Sequence, residues 1–163
     1  MTILQPYNYV VRNNEYIFVT DYGIQYSIEI EDGSAYFVSF KPYLSIYELS
    51  IDIINVEQTL FAPFDRRTEI TIFAILKVFF QDKTNSIIYV CDSVDGRHRG
   101  RSRKFDAWFQ RNNDGSLEKY NVDFTTEGIE ILASLIVHTD NALKNELIEL
   151  FLQQPSEYDK NDD

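Results

Sequence analysis

The longest apolar run of the chain covers residues 70–80 and is broken by Lys77. It is far shorter than the roughly 20 residues that a membrane-spanning helix needs, so we expect no membrane span. Asp65 precedes the run and is a typical helix N-cap, which predicts a helix over 66–81. A strand is the alternative, because a continuous apolar run has an ambiguous period. The length of the run and its cap favour a helix that is buried on nearly all sides.

The residues before this helix have the pattern of a β-meander. Aromatic or β-branched runs are separated by turns at Gly23 and Gly33, where glycine supplies conformations that other residues resist. A later run alternates apolar and polar side chains, which is typical of a strand with one wet face. The predicted strands cover residues 16–20, 24–30, 35–40 and 49–53.

The residues after the helix predict alternating strands and helices. Residues 86–91 are apolar on both faces, as in a central strand. A second helix is expected from Ser93 or Asp95 to near Gln110, followed by strands over 120–124 and 129–137. Residues 139–141 can cap a last helix, which carries Leu143, Leu147 and Phe151 on one face and which Pro155 should stop.

The order β-β-β-β-α-β-α-β-β-α predicts an α+β fold with a mostly antiparallel sheet. Its length fits one compact domain, which we place over residues 1–154. Residues 155–163 read as a disordered acidic tail, because they have no apolar face to bury.

Residues 97–104 are the unusual segment of this acidic chain. Five cations and no carboxylate lie there, although the formal net charge of the whole chain is -11. The overall acidity argues against broad nucleic-acid binding, which depends on neutralising phosphates. A local anion site or an acidic protein partner remains compatible with such a cluster.

The five cations are not equivalent on a helix. The aromatic side chains of the helix share one face: Phe105, Trp108 and Phe109. Arg97 and Arg101 continue this stripe towards the N-terminus, so we expect their stems to be largely covered and their guanidinium groups to be held by specific acceptors. Arg99 and Arg103 lie on another face and should be solvated.

Two hypotheses follow for the junction between strand 86–91 and this helix. A strand, a glycine turn and a helix start form a typical anion site, and two arginines at i and i+4 can clamp a phosphate or carboxylate. The candidate ligand-binding residues are Asp92, Asp95, Gly96, Arg97, His98 and Arg101. Alternatively, Arg97 and Arg101 pair with carboxylates such as Asp92 and Asp95 and only hold the junction together.

Other chemistry has weaker support. Asp92 and Asp95 alone supply too few oxygen ligands for a hard cation, so turn and cap roles are favoured. Cys91 is expected to be a buried small hydrophobe, and a single cysteine forms no internal disulfide. The chain has no P-loop, no GxSxG and no HExxH motif, so we predict no cofactor or metal and assign no catalytic residue. The N-terminus lacks a basic flank before an apolar core, which predicts a cytoplasmic protein without an export signal.

One sequence block is similar to a known family. The block runs Tyr89-x-Cys91-Asp92-Ser93-x-Asp95-Gly96-Arg97 and continues with Arg101, Phe105, Trp108 and Phe109. Together with an N-terminal pattern that begins at Tyr16, it resembles a family of small, uncharacterised bacterial proteins, a domain of unknown function. The resemblance implies a bacterial intracellular protein and supplies no activity.

A shorter pattern resembles another family. Arg97-x-x-Gly100-x-Ser102 is similar to the pyrophosphate loop of Gcn5-related N-acetyltransferases, whose backbone N–H groups hold acyl-CoA. From the Arg97 and Arg101 junction itself we expect a non-enzymatic binding or regulatory module for an acidic partner or a phosphate-bearing ligand. The alternatives are an acyl-CoA-dependent N-acyltransferase, which a V-shaped cleft beside strand 86–91 would favour, and a structural homodimer.

Overall fold

In a computed structural model of the chain, the structure describes residues 3–34, 41–55 and 64–161, with the backbone alone over 154–161. Its elements in chain order are β1 (Val10–Arg12), β2 (Glu15–Val19), β3 (Gln25–Asp32), β4 (Ser45–Ile53), α1 (Arg66–Phe79), β5 (Asn85–Asp92), α2 (His98–Asn112), β6 (Leu117–Thr126), β7 (Ile129–His138) and α3 (Lys144–Asn161). The described strands form one sheet in the spatial order β1-β2-β3-β4-β5-β7-β6. The predicted α+β class and element order are confirmed.

The N-terminal strands match the prediction in part. β2, β3 and β4 correspond to predicted strands, and Gly23 makes the turn between β2 and β3 with a φ of 77°. β1 was not predicted, since three exposed residues carry no periodic signal. The predicted strand over 35–40 lies outside the described residues.

β4 and β5 form the one parallel pair among the described strands. Their register runs from Ser45↔Asn85 to Leu49↔Tyr89, and α1 connects them. β5 also pairs with β7 in antiparallel fashion, so the prediction that it is a central strand is confirmed. Because β4 and β5 are parallel, their C-terminal ends lie at the same end of the sheet, and α2 begins shortly after β5 there.

The sheet separates two apolar cores. Adjacent residues Ile87 and Ile88 on β5 point to opposite faces and belong to different clusters. One cluster lies under α1 and α2 and contains Trp108, and the other lies under α3.

None of the helices in the described part of the chain has the length and apolar character that a membrane span requires.

The residues that were predicted to cap α1 and α3 do so, whereas the residue that was predicted to end α3 does not. Asp65 caps α1, where its Oδ1 accepts the Arg67 N–H at 3.0 Å. Asn141 Oδ1 accepts the Leu143 N–H at 2.9 Å just before α3. The expectation that Pro155 stops α3 is wrong, because the helical backbone continues to Asn161. A proline removes one N–H and crowds the preceding turn, which weakens a helix without forbidding it.

Candidate functional site

The strand–helix junction is built by a tight turn after β5. Asp92 Oδ1 accepts the Val94 N–H at 3.1 Å, and Asp95 Oδ1 accepts the Arg97 N–H at 3.0 Å. Gly96 has a φ of 72°, a left-handed conformation that glycine adopts without strain. The prediction that α2 starts at Ser93 or Asp95 is therefore wrong. These residues are used in the turn, and the helix begins at His98.

Arg101 is the arginine that the junction holds. Its Nη1 donates to Asp95 Oδ2 at 2.5 Å, and its Nη2 donates to the Asp92 carbonyl at 3.2 Å. The Arg101 guanidinium, followed by the Arg97 N–H, lowers the pKa of Asp95 to about 2, so this carboxylate is ionised at neutral pH. The expectation that Arg101 is held by specific acceptors is confirmed, whereas its side chain is 38% exposed and not largely covered.

Arg97 differs from the expectation. Its side chain is exposed and has no hydrogen bond or ion pair to the described residues, although it shares a helix face with Arg101. Lys104 continues this face at i+7 and is also exposed, and its Nζ lies 5.1 Å from the centroid of the Trp108 ring. Neither cation has a carboxylate partner in the described part of the chain. This face, which we call the basic face, therefore has three cations and one paired carboxylate, Asp95.

His98 and Arg99 are directed to β7 instead. Arg99 makes two hydrogen bonds to Glu130, at 3.1 and 3.0 Å, and the same carboxylate lies 3.1 Å from His98 Nε2. Arg99, followed by His98, lowers the pKa of Glu130. His98 is buried and lies in none of the clefts described below, so it does not join Arg101 at the site that the sequence predicted.

A cleft opens where β4 and β5 diverge. Their pairing ends at Leu49↔Tyr89, while both strands continue to Ile53 and Asp92. The cleft between them has a volume of about 460 Å³. Its charged lining residues are Glu48, Asp52, Asp92, Asp95 and Arg101. Because four of these five side chains are acidic, the cleft itself does not favour an anion, and anion binding has to involve the basic face at its rim.

A smaller apolar pocket adjoins the cleft on the side of α2. Its volume is about 140 Å³, and it shares Ile51, Tyr89 and Arg101 with the cleft. The remaining lining residues are Tyr26, Ile53, Lys104, Phe105 and Trp108. We call it the Trp108 pocket.

The prediction that the aromatic stripe of α2 faces the core is confirmed, since Phe105 and Trp108 are buried.

Cys91 lies beneath the junction and does not supply a reactive thiolate. The side chain is 2% exposed, as predicted for a small buried hydrophobe. Burial raises the pKa of its thiol, while hydrogen bonds to Tyr89 and Arg101 act in the opposite direction. Burial also raises the pKa of the Tyr89 hydroxyl. Both groups therefore stay protonated at neutral pH.

The sequence prediction missed three parts of this site. Lys104 was counted in the basic segment but not assigned to the face of Arg101, although its i+3 spacing shows this. Ile51 and Ile53 were predicted as a strand with one wet face, and nothing local indicates that they wall a pocket against α2.

No group of three or more His, Cys, Asp or Glu in the described ranges is arranged to hold a metal ion.

Comparison with known families gives one match. Residues 64–153, from the start of α1 into α3, match a family of unknown function, DUF6169. The chain belongs to DUF6169. The matched residues include the junction and the whole basic face, whereas the β3 and β4 walls of the Trp108 pocket precede them. Neither a curated protein nor a solved structure matches the chain.

Proposed function

We propose that this protein is a binding module that holds a phosphate-bearing ligand at the strand–helix junction of Arg97 and Arg101. The observation that carries the proposal is the surplus positive charge of the basic face. Arg97 and Lys104 have no carboxylate partner among the described residues, in a chain whose formal net charge is -11. An acidic chain that leaves cations unpaired on one helix face has a local affinity for anions.

The position of these cations supports the proposal. Arg97 and Arg101 lie at the N-cap and in the first turn of α2, where the helix dipole and the free N–H groups favour negative charge, and Lys104 follows one turn later. Arg97 is the N-cap and makes no side-chain cap hydrogen bond. Arg101 is oriented by Asp95 and by the Asp92 carbonyl, and a guanidinium has five N–H donors, so it keeps donors for a ligand.

Binding is tested by thermal unfolding of the whole chain with pyrophosphate, nucleotides or acetyl-CoA, since a ligand of the native state raises stability. We expect at least one of these compounds to raise the midpoint, and Arg97→Ala to reduce the shift. Arg103→Ala is the matched control, because Arg103 is an exposed arginine of the same helix on another face. The proposal fails if none of the phosphate compounds raises the midpoint, or if both variants respond like the native protein. Stabilisation by an acidic peptide alone would assign the face to a protein partner.

An acyl-CoA-dependent acyltransferase is the second candidate, because β4 and β5 part after Leu49↔Tyr89 and enclose the cleft between them. An opening beside β5 supports this candidate, since such an enzyme would need a cleft there. The pattern Arg97-x-x-Gly100-x-Ser102 does not form a loop here, since Gly100 and Ser102 are helical from the start of α2. Transfer of an acetyl group from acetyl-CoA to an amine, measured by release of free thiol, separates the two candidates.

A further inference from the structure

We infer that the ligand of the basic face carries one aromatic ring beside its phosphate, and that this ring enters the Trp108 pocket. The inference deepens the proposed function and rests on it. It starts from the position of the pocket, which borders the cleft on one side and has Arg101 and Lys104 among its lining residues.

The size of the pocket selects the group. An apolar cavity of about 150 Å³ accommodates benzene, and the Trp108 pocket has a volume of about 140 Å³. One six-membered ring fills such a space. A larger body would extend into the neighbouring cavity of about 210 Å³, which shares Tyr26, Ile53, Lys104 and Trp108 with the pocket.

The walls of the pocket favour an aromatic group over a polar one. Four of its lining residues are aromatic: Tyr26, Tyr89, Phe105 and Trp108. Burial raises the pKa of the Tyr26 and Tyr89 hydroxyls, so both stay neutral. Together with Ile51 and Ile53, the four rings make the walls mostly apolar. Aromatic walls bind a further ring in offset or edge-to-face geometry.

The cations of the basic face set where the phosphate lies. Lys104 is exposed, and its Nζ lies 5.1 Å from the Trp108 ring centroid, at the mouth of the pocket. Arg101 lines both the pocket and the cleft. A ring seated in the pocket therefore brings an attached phosphate next to two cations, and only Arg101 of these is paired with a carboxylate of the described residues.

The test compares phenyl phosphate with inorganic phosphate on the full-length chain. Trp108 is the single tryptophan, so its fluorescence reports occupancy of the pocket directly, and calorimetry measures both affinities. We expect phenyl phosphate to bind at least about tenfold more tightly than phosphate, because binding in the pocket removes the apolar surface of the ring from water. Only phenyl phosphate should change the Trp108 emission spectrum.

Pocket-filling variants separate the ring site from the phosphate site. Ile51→Phe should reduce the affinity for phenyl phosphate to that for phosphate and leave phosphate binding unchanged. Ile53→Phe is the second variant, should the first one lower the thermal midpoint. Lys104→Ala should lower the affinity for both compounds at least severalfold, whereas Arg103→Ala should leave both affinities unchanged.

Each result has a distinct meaning. Equal affinities of phenyl phosphate and phosphate for the native protein would overturn the ring site and leave the phosphate site standing. Retained tenfold preference in a folded Ile51→Phe or Ile53→Phe variant would likewise overturn it. If neither compound binds the native protein, both the inference and the proposed function fail.

Discussion

The two ends of α2 use cations in different ways. At the C-terminal end, Arg111 makes two hydrogen bonds to Glu69 of α1, at 3.0 and 2.5 Å, and the Glu69 side chain is 1% exposed. At the N-terminal end, Arg97 and Lys104 are exposed and have no carboxylate partner among the described residues. The C-terminal end is joined to α1 by a pair with a buried carboxylate. The N-terminal end has surface pairs, Arg99 with Glu130 and Arg101 with Asp95, and it leaves Arg97 and Lys104 exposed.

The difference shows why a basic segment cannot be interpreted as one unit. A cation that faces a buried carboxylate is needed to compensate that charge, so its removal destabilises the fold. A cation without such a partner adds little to stability and is available to a ligand. Arg101 lies between these cases, because Asp95 binds it at the surface and it still lines the cleft.

Trp108→Ala should have the largest effect on stability and defines the scaffold side of the comparison. Trp108 is 7% exposed and packs in the core under α1 and α2. A large-to-small change of this kind costs about 3–5 kcal/mol of unfolding free energy. Urea unfolding followed by circular dichroism measures it. A midpoint equal to that of the native protein would place this part of α2 outside the core.

Arg111→Ala should have the next largest effect. It leaves the buried Glu69 carboxylate with Arg66 as its remaining partner, at 3.3 Å. We expect the thermal midpoint to fall by several degrees, because a buried charge that loses its main partner is destabilising. In the double variant Glu69→Gln, Arg111→Ala, part of the loss should be recovered. If Arg111→Ala unfolds at the native temperature, the two ends of α2 do not differ as described.

Arg101→Ala and Arg103→Ala should have the smallest effects, and their difference sharpens the comparison. Arg101→Ala should lower the thermal midpoint slightly, since Asp95 and the Asp92 carbonyl each lose a donor. Arg103→Ala should leave the midpoint unchanged. A rise on Arg101→Ala together with a loss of phosphate binding would show that repulsion from Arg97 outweighs the Asp95 pair, as in a site adapted to a ligand. Indistinguishable midpoints would mean that Arg101 is no more than a solvated charge.

Local patterns predicted the elements of this fold better than their ends. The aromatic stripe of α2 and the caps of α1 and α3 depend on spacing within one turn, so they can be read from neighbouring residues. The start of α2 could not be chosen in this way. Ser93 and Asp95 are both good caps, and Gly96 in its left-handed conformation decides that the helix begins after them.

The candidate site was predicted in part for the same reason. The sequence placed Arg101 near Asp92 and Asp95, which are close to it along the chain, and the structure confirms their contacts. It expected Arg97 to be held and Arg99 to be solvated, whereas the structure binds Arg99 to Glu130 on β7, 31 residues away, and leaves the Arg97 side chain exposed. Which arginine is neutralised therefore depends on strand pairing.

The sequence alone determined the α+β order of elements, the helix phase that places Arg97 and Arg101 on one face, and the excess of cations in that segment. These properties follow from backbone periodicity and from composition. Tertiary structure alone decided that β4 and β5 part after Leu49↔Tyr89 and that the Trp108 pocket forms beside them. The physical reason is that register and cavities arise from contacts between residues distant along the chain, which no local pattern encodes.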